Sequence, residues 1–307
     1  MAFNVTALTE YVNEHRSELM AAAVIAFRSS TLFELMPEVK GKTALNLLSA
    51  PVTFQNGDSC GFNASGNITF TQRMIDPGVI KVNESYCPKT LRKYYMQNEV
   101  KLGAGRETMP FEEKIMSLII ANIGAEMEKA FWQGNKTSGT GNLAFFDGLH
   151  TILAADVANS VIASSAVHQA SASDTVYDRV KTLAEVVPDA VGNRMKFYMS
   201  TSNYRKLAML IVNKNLFHYE RNVDSDDMRM IFPGTDLEVI GVAGLAGVNN
   251  IYGLIPEEVA YGFDSENDVE SFDLWYSKDN DEFRFKCQWA AGVQYAFPQD
   301  VLVGTPA

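Results

Sequence analysis

The chain has 307 residues, 47% of them hydrophobic, a formal net charge of -11 and a pI near 4.9. That is apolar material enough for one large domain or two or three lobes. The acidic balance excludes an extensive surface for neutralising phosphates, so the sequence does not read as a nucleic-acid binder.

Cys60, Cys87 and Cys287 lie far apart without CxxC spacing and give neither a zinc framework nor an even disulfide set, so they read as free thiols in a reducing compartment. The most apolar N-terminal run, Leu19 to Phe27, is well short of the roughly 20 residues that span a membrane. The stretch before it carries acids and lacks a basic leader. We read the chain as cytosolic when made, and the sequons at Asn63 and Asn67 then carry no glycosylation.

In chain order, the three- and four-residue spacing of Leu8, Val12, His15 and Leu19 predicts a helix from Thr6 to Phe27. Ser29 to Ala50 mixes short apolar pieces with Pro37 and Gly41 and predicts an extended arm that needs a partner surface. Ile68 to Ile75 and Val79 to Val82 flank Asp76-Pro77-Gly78, turn chemistry that predicts a β-hairpin. Its polar content leaves it little apolar area with which to stand alone.

Phe111 to Gln133 predicts one long helix. Thr108 is positioned as its N-cap, Pro110 suits the first turn, and Glu112 and Glu113 complement the positive end of the dipole. Ile115, Ile119, Ile123, Met127 and Phe131 form a stripe that Leu118, Ala130 and Trp132 widen, and Gly134 ends the helix. At 1.5 Å per residue it is about 35 Å long. Without a sustained heptad it reads as a strut packed on a sheet and not as a coiled coil.

Beyond Asp147-Gly148-Leu149 the pattern alternates between helix and strand. A helix from Thr175 to Val187 capped by Ser173 or Asp174, a strand from Lys196 to Ser200, a helix from Asn203 to Val212, and strands Leu237 to Val242 and Asn250 to Ile255 are predicted. Phe272 to Ser277 and Phe283 to Trp289 then flank a polar tip as a long hairpin, with Phe283, Phe285 and Cys287 on one face. A last strand runs from Val293 to Phe297.

The sequence offers no convergent chemistry, and we assign no catalytic, cofactor-binding or metal residue. His15, His150, His168 and His218 lack ligand spacing. The acidic run Asp264, Glu266, Asp268, Glu270, Asp273 lacks the glycine and closing glutamate of a calcium loop. Gly134-Asn135-Lys136-Thr137 lacks the spacing of a phosphate loop and reads as a flexible connector. Gly103-Ala-Gly105 and Gly241 to Gly247 read as loops and strand ends. A chain of this size without such a site works by its surfaces.

This order of elements, a terminal arm, polar hairpin, long helix, Gly/Ser/Thr loop leading to FFDGL, α/β lobe, late hairpin and final VQYAFPQDVLVG, resembles the major capsid proteins of tailed bacteriophages. Gly292-Val293 with the alternating residues up to Pro298 is the most family-like local match, and Asn83 to Tyr95 is similar to the stretch after the E-loop in capsid proteins of gut-bacterial phages. The resemblance implies an α+β, Hong Kong 97-like capsid fold. Residues 1–49 would be the N-terminal arm and 50–108 the E-loop region. Residues 109–150 and 264–290 would form the peripheral domain with its spine helix and long hairpin, and 151–263 with 291–307 the axial domain.

It further implies a non-enzymatic shell protein found in the virion and assembled in the host bacterial cytoplasm. Its partners would be identical subunits in hexamers and pentamers, with separate scaffolding, portal and head decoration proteins as further candidates. The shell would enclose DNA without sequence-specific binding, and no membrane is involved. A negative lining would keep packaged DNA from adhering. Lys and Asn side chains join subunits covalently in some relatives, but no motif here places such a cross-link. The alternatives are an encapsulin-type nanocompartment shell on the same fold and, from another class, an α/β enzyme whose site the sequence does not reveal.

Overall fold

The structure, a computed structural model, describes residues 14–25, 27–49, 53–54, 69–87, 111–188, 191–214, 228–264, 272–280 and 282–306. Among them lie five α-helices and three sheets, the two larger of which share a core. The helices are α1 (Arg16–Ile25), α2 (Phe111–Gln133), α3 (Leu149–Ala158), α4 (Val176–Val186) and α5 (Thr201–Asn213).

The first sheet is built on one strand of 14 residues, β12 (Glu282–Tyr295). On one side it pairs antiparallel with β4 (Gly78–Tyr86). On the other it pairs with β11 (Phe272–Ser277) along its first half and with β10 (Val259–Asp264) along its second. The short β1 (Glu34–Met36) joins β10 in parallel and completes five strands. The predicted late hairpin is thus present, with Phe283, Phe285 and Cys287 all buried. The separate last strand is not: residues 293–295 continue β12, because nothing between Trp289 and Val293 breaks the ladder.

The second sheet has six strands in the order β5 (Val167–Gln169), β13 (Leu302–Thr305), β9 (Ile251–Leu254), β6 (Lys196–Ser200), β8 (Glu238–Val242), β7 (Arg229–Ile231). Its inner strands read as continuous apolar runs because both faces are covered. Phe197, Met199 and Val239 join the cluster formed with Val180, Leu183, Tyr204, Leu207 and Ile211 of α4 and α5. Tyr198, Ile240 and Tyr252 point the other way into the main core, where Trp132 at the end of α2 packs tilted against Tyr198 at 5.7 Å and stacks on Tyr252 at 6.4 Å. Helix α4 is capped by Thr175, one residue later than expected, in a reciprocal arrangement with Asp178.

Helix α2 has the predicted bounds, and Met116, Ile119, Ile123, Met127, Ala130, Phe131 and Trp132 are buried. Leu118 is instead exposed. It falls in register with Asn122, Ala125 and Lys129 along the opposite face, all exposed. Its proposed cap, Thr108, lies outside the described residues, as do the glycines at 103 and 105 and both sequons.

The segment expected to be an extended arm is partly integral to the body. Phe27, Phe33 and Val39 are buried, and Phe33 stacks on Phe131 at 5.4 Å. The Ser29 N–H and hydroxyl donate to the two oxygens of Glu128 on α2, each at 2.8 Å, and the Trp132 indole donates to Ser29 Oγ at 2.8 Å. Of the predicted first helix only α1 falls within the described part.

Candidate assembly surfaces

The predicted hairpin is absent in the form expected. β3 (Thr69–Ile75) does not pair with β4 across Asp76-Pro77; it pairs antiparallel with β2 (Thr43–Ser49) in a separate two-stranded ribbon. Asp76-Pro77 is a corner, not a hairpin tip. The chain runs from β3 into β4 along one edge of β12, so that Met74 lies beside Gln294 and Gly78 opposite Ala291.

Alternation sorts the ribbon's residues into two faces. Ala44, Asn46 and Leu48 lie opposite Met74, Gln72 and Phe70 on one, and the Gln72 amide donates to Asn46 at 2.9 Å. At the end away from the body, Leu48 and Phe70 form a cross-strand pair that is 57% and 77% exposed, and Phe54 beyond them is 95% exposed. The other face turns Leu47 and Ile75 inward. A two-stranded ribbon with its apolar pair in water is marginal by itself.

The root is seated with care. Gly262 on β10 and Gly292 on β12 are register partners, and the absence of side chains there opens a trough. A Cβ on Gly292 would stand 3.0 Å from Ile75 Cγ2 and from Pro77 Cα; one on Gly262 would stand 3.1 Å from Val39. Ile75, Val39 and Ala260 fill the trough as a small cluster of their own. Beside it the Arg73 guanidinium lies 4.1 Å from the Tyr295 ring centre and donates to Asp156 on α3 and to Gln294 Oε1 at 3.2 Å. The Tyr295 hydroxyl donates to the same Asp156 oxygen, and the Gln294 amide donates to Met74 O at 3.0 Å. Burial and the neighbouring carboxylate push the Tyr295 phenol far above its ordinary pKa. On the exposed flank Asp76 accepts from Lys136 at 3.0 Å and lies 3.7 Å from Lys42; the Lys136 hydrogen bond holds its carboxyl below the usual range.

A second concave surface, of about 320 Å³, lies between β4 and α2 and is lined by Ile80, Val82, Ile123, Met127, Phe145 and Trp289 among others. Trp289 is buried there, and its indole N–H has no partner among the described residues.

The residues singled out for chemistry do not converge. Among the described residues no three His, Cys, Asp or Glu side chains are grouped so as to hold a metal. His150 contacts the Tyr252 hydroxyl and burial lowers its pKa; His15 lies 3.1 Å from Glu18; His168 sits on β5; His218 is outside the described part. Of the acidic run only Asp264 and Asp273 are described, at the end of β10 and on β11. Neither Cys87 nor Cys287 is in a disulfide among the described residues, and burial pushes the Cys287 thiol up to about 12; Cys60 is not described.

Gly134 to Thr137, expected as a flexible connector, is a tied turn. Asn135 Oδ1 accepts from the N–H groups of Thr137 and Ser138, Asp147 Oδ1 accepts from that of Lys136, and Gly134 packs so closely on Gly148 that neither position has room for a Cβ. No helix is long and apolar enough to cross a membrane among the described residues. Sequence reasoning missed Arg73, Asp156, Tyr295 and the Ser29–Glu128–Trp132 set; only Gly292 carried a visible signal.

No protein-family model matches the chain, and no curated protein matches its sequence. Solved structures do match. A chain of the satellite phage P4 procapsid aligns with a TM-score of 0.62 at 10% identity, over 95% of this chain and 91% of that one. This is the Hong Kong 97-like capsid fold. A chain from Mycobacterium phage Ogopogo shares the capsid fold with a TM-score of 0.56 at 12% identity, over 91% of each chain. The holo-SrpI encapsulin complex from Synechococcus elongatus has it too, with a TM-score of 0.54 at 10% identity, over 90% of this chain and 85% of that one. In all three the likeness lies in backbone path and not in side chains.

Proposed function

We propose that the chain is the major capsid protein of a tailed bacteriophage, assembling as hexamers and pentamers into an icosahedral head that encloses double-stranded DNA. The observation that carries this reading is the ribbon: strands β2 and β3 pair only with each other among the described residues, and their far end presents Phe54, Leu48 and Phe70 to solvent. The capsid fold supplies the context, since it is built over more than nine-tenths of the chain's length in a phage procapsid.

In this reading residues 1–49 serve as the arm, of which 27–39 pack on their own body, and 50–108 as the E-loop region, whose paired strands begin already at Thr43. Residues 109–150 and 264–290 serve as the peripheral domain and 151–263 with 291–307 as the axial domain. The role is structural, without catalysis. Each ribbon buried on a neighbour adds one modest interface, and closed symmetry multiplies it over every copy. Separate scaffolding, portal and decoration proteins are the further partners, and the shell forms in the host cytoplasm. The net charge of -11 keeps the lining from binding packaged DNA.

An encapsulin-type shell is the second reading, favoured by the likeness to the encapsulin complex. Electron microscopy of the expressed protein tests the assembly: closed shells with five- and six-fold capsomers are expected, and a protein that stays monomeric by light scattering at all concentrations overturns it. Particles from the native source that protect DNA from nuclease indicate the phage head; particles filled with an enzyme indicate the encapsulin.

A further inference from the structure

The ribbon root is held by two kinds of contact that differ in what they constrain. Ile75, Val39 and Ala260 lie over the side-chain-free trough of Gly262 and Gly292. Apolar contact is non-directional, so this cluster keeps the root in its seat while tolerating rotation about it. The contacts of Arg73 are directional. Its guanidinium stacks on Tyr295 and donates to Asp156 and Gln294, so one side chain of β3 is tied to α3 and β12 at once.

We propose that the ribbon turns on this apolar axle and that Arg73, with Asp156 and Tyr295, is the latch that fixes its angle to the body. Arg73 is a positioning residue, and the value of a fixed angle rests on the shell reading above. Three features support the latch. Arg73 and Asp156 are only 16% and 15% exposed, so water and salt screen the pair little. The Tyr295 hydroxyl donates to the same Asp156 oxygen, which fixes the acceptor and not only the donor. Finally, Arg73 Nε is buried without a hydrogen-bond partner among the described residues, so within them the closed latch leaves one donor unmet and is releasable where a tighter arrangement would not be. The exposed Lys42–Asp76 pair at the same root, by contrast, is open to solvent and screened.

The test is a distance measurement by pulsed-dipolar EPR on the full chain. Spin labels are placed at Thr71→Cys on the ribbon and Lys129→Cys on α2, with Cys60→Ser and Cys87→Ser and with Cys287 left buried. The expected result is a single narrow distance for the parent, a distribution at least twofold wider for Arg73→Met, partial narrowing in Arg73→Lys, and no change in Lys42→Ala. An Arg73→Met distribution as narrow as the parent's, at the same distance, overturns the proposal. Should Arg73→Met fail to fold by circular dichroism, Asp156→Asn and Tyr295→Phe carry the same expectation and the same refutation. Widening in Arg73→Met when the parent never forms particles sustains the latch and sinks the shell; an unchanged distribution in Arg73→Met when the parent assembles does the reverse.

Discussion

Ser29 shows what a single position does in this molecule. A small polar residue at the entry to an arm looks unremarkable in sequence, yet its N–H and hydroxyl are buried on Glu128, 99 positions later. Removing that acceptor strands two buried donors, and Glu128→Leu is expected to cost about 2–4 kcal/mol, read as a lower denaturant midpoint at unchanged slope. None of this was legible, because partners so distant in sequence leave no local pattern. Glu258 behaves differently. Burial first, then the charge of Asp300, push its carboxyl from 4.5 to about 7. The folded state therefore holds this proton more tightly than the unfolded chain, so its contribution is complete below pH 4.5 and is lost as pH rises through about 7. Glu258→Gln should raise the melting temperature by about 2 °C at pH 8 and leave it unchanged at about pH 4, measured by scanning fluorimetry.

At the scale of elements, legibility tracked periodicity. Helix α2 and the β11–β12 hairpin carry clean 3.6- and 2-residue patterns and lie where the sequence places them. Helix α3 does not: LHTILAADVA is apolar nearly all round and begins at Gly148 without a side-chain cap, so neither stripe nor start signal marks it. The Asp76-Pro77-Gly78 turn was misread for a related reason. Turn chemistry specifies a bend, not which strand the chain pairs with afterwards, and the pairing here is set by the neighbours β2 and β12. The ribbon's exposed pair gives the prediction proper to this scale. Leu48→Asp with Phe70→Asp should abolish particles in electron micrographs while moving the melting temperature of the unassembled subunit by no more than about 2 °C, since neither side chain is buried in it.

For the whole molecule, composition excluded more than it identified. The acidic balance, the absence of ligand spacing and the surfeit of surface pieces pointed away from chemistry, and the order of elements pointed to the capsid fold. Where the proposed shell would seat the ribbon on another copy was not legible, because a local sequence pattern carries no record of surfaces that exist only after folding. Copies that each carry -11 repel one another, so particle formation followed by light scattering should be several-fold faster in 0.3 M salt than in 0.02 M. The fourteen-residue strand β12 has a mechanical consequence of its own. It meets the ribbon through Gln294 and Tyr295, is bonded along both edges within its sheet, and passes by way of residues 296–301 into β13, which lies between β5 and β9 of the other sheet. A tug on the ribbon is consequently delivered lengthwise to a central member of each sheet, where the ladder bonds resist in shear together and do not peel apart one after another.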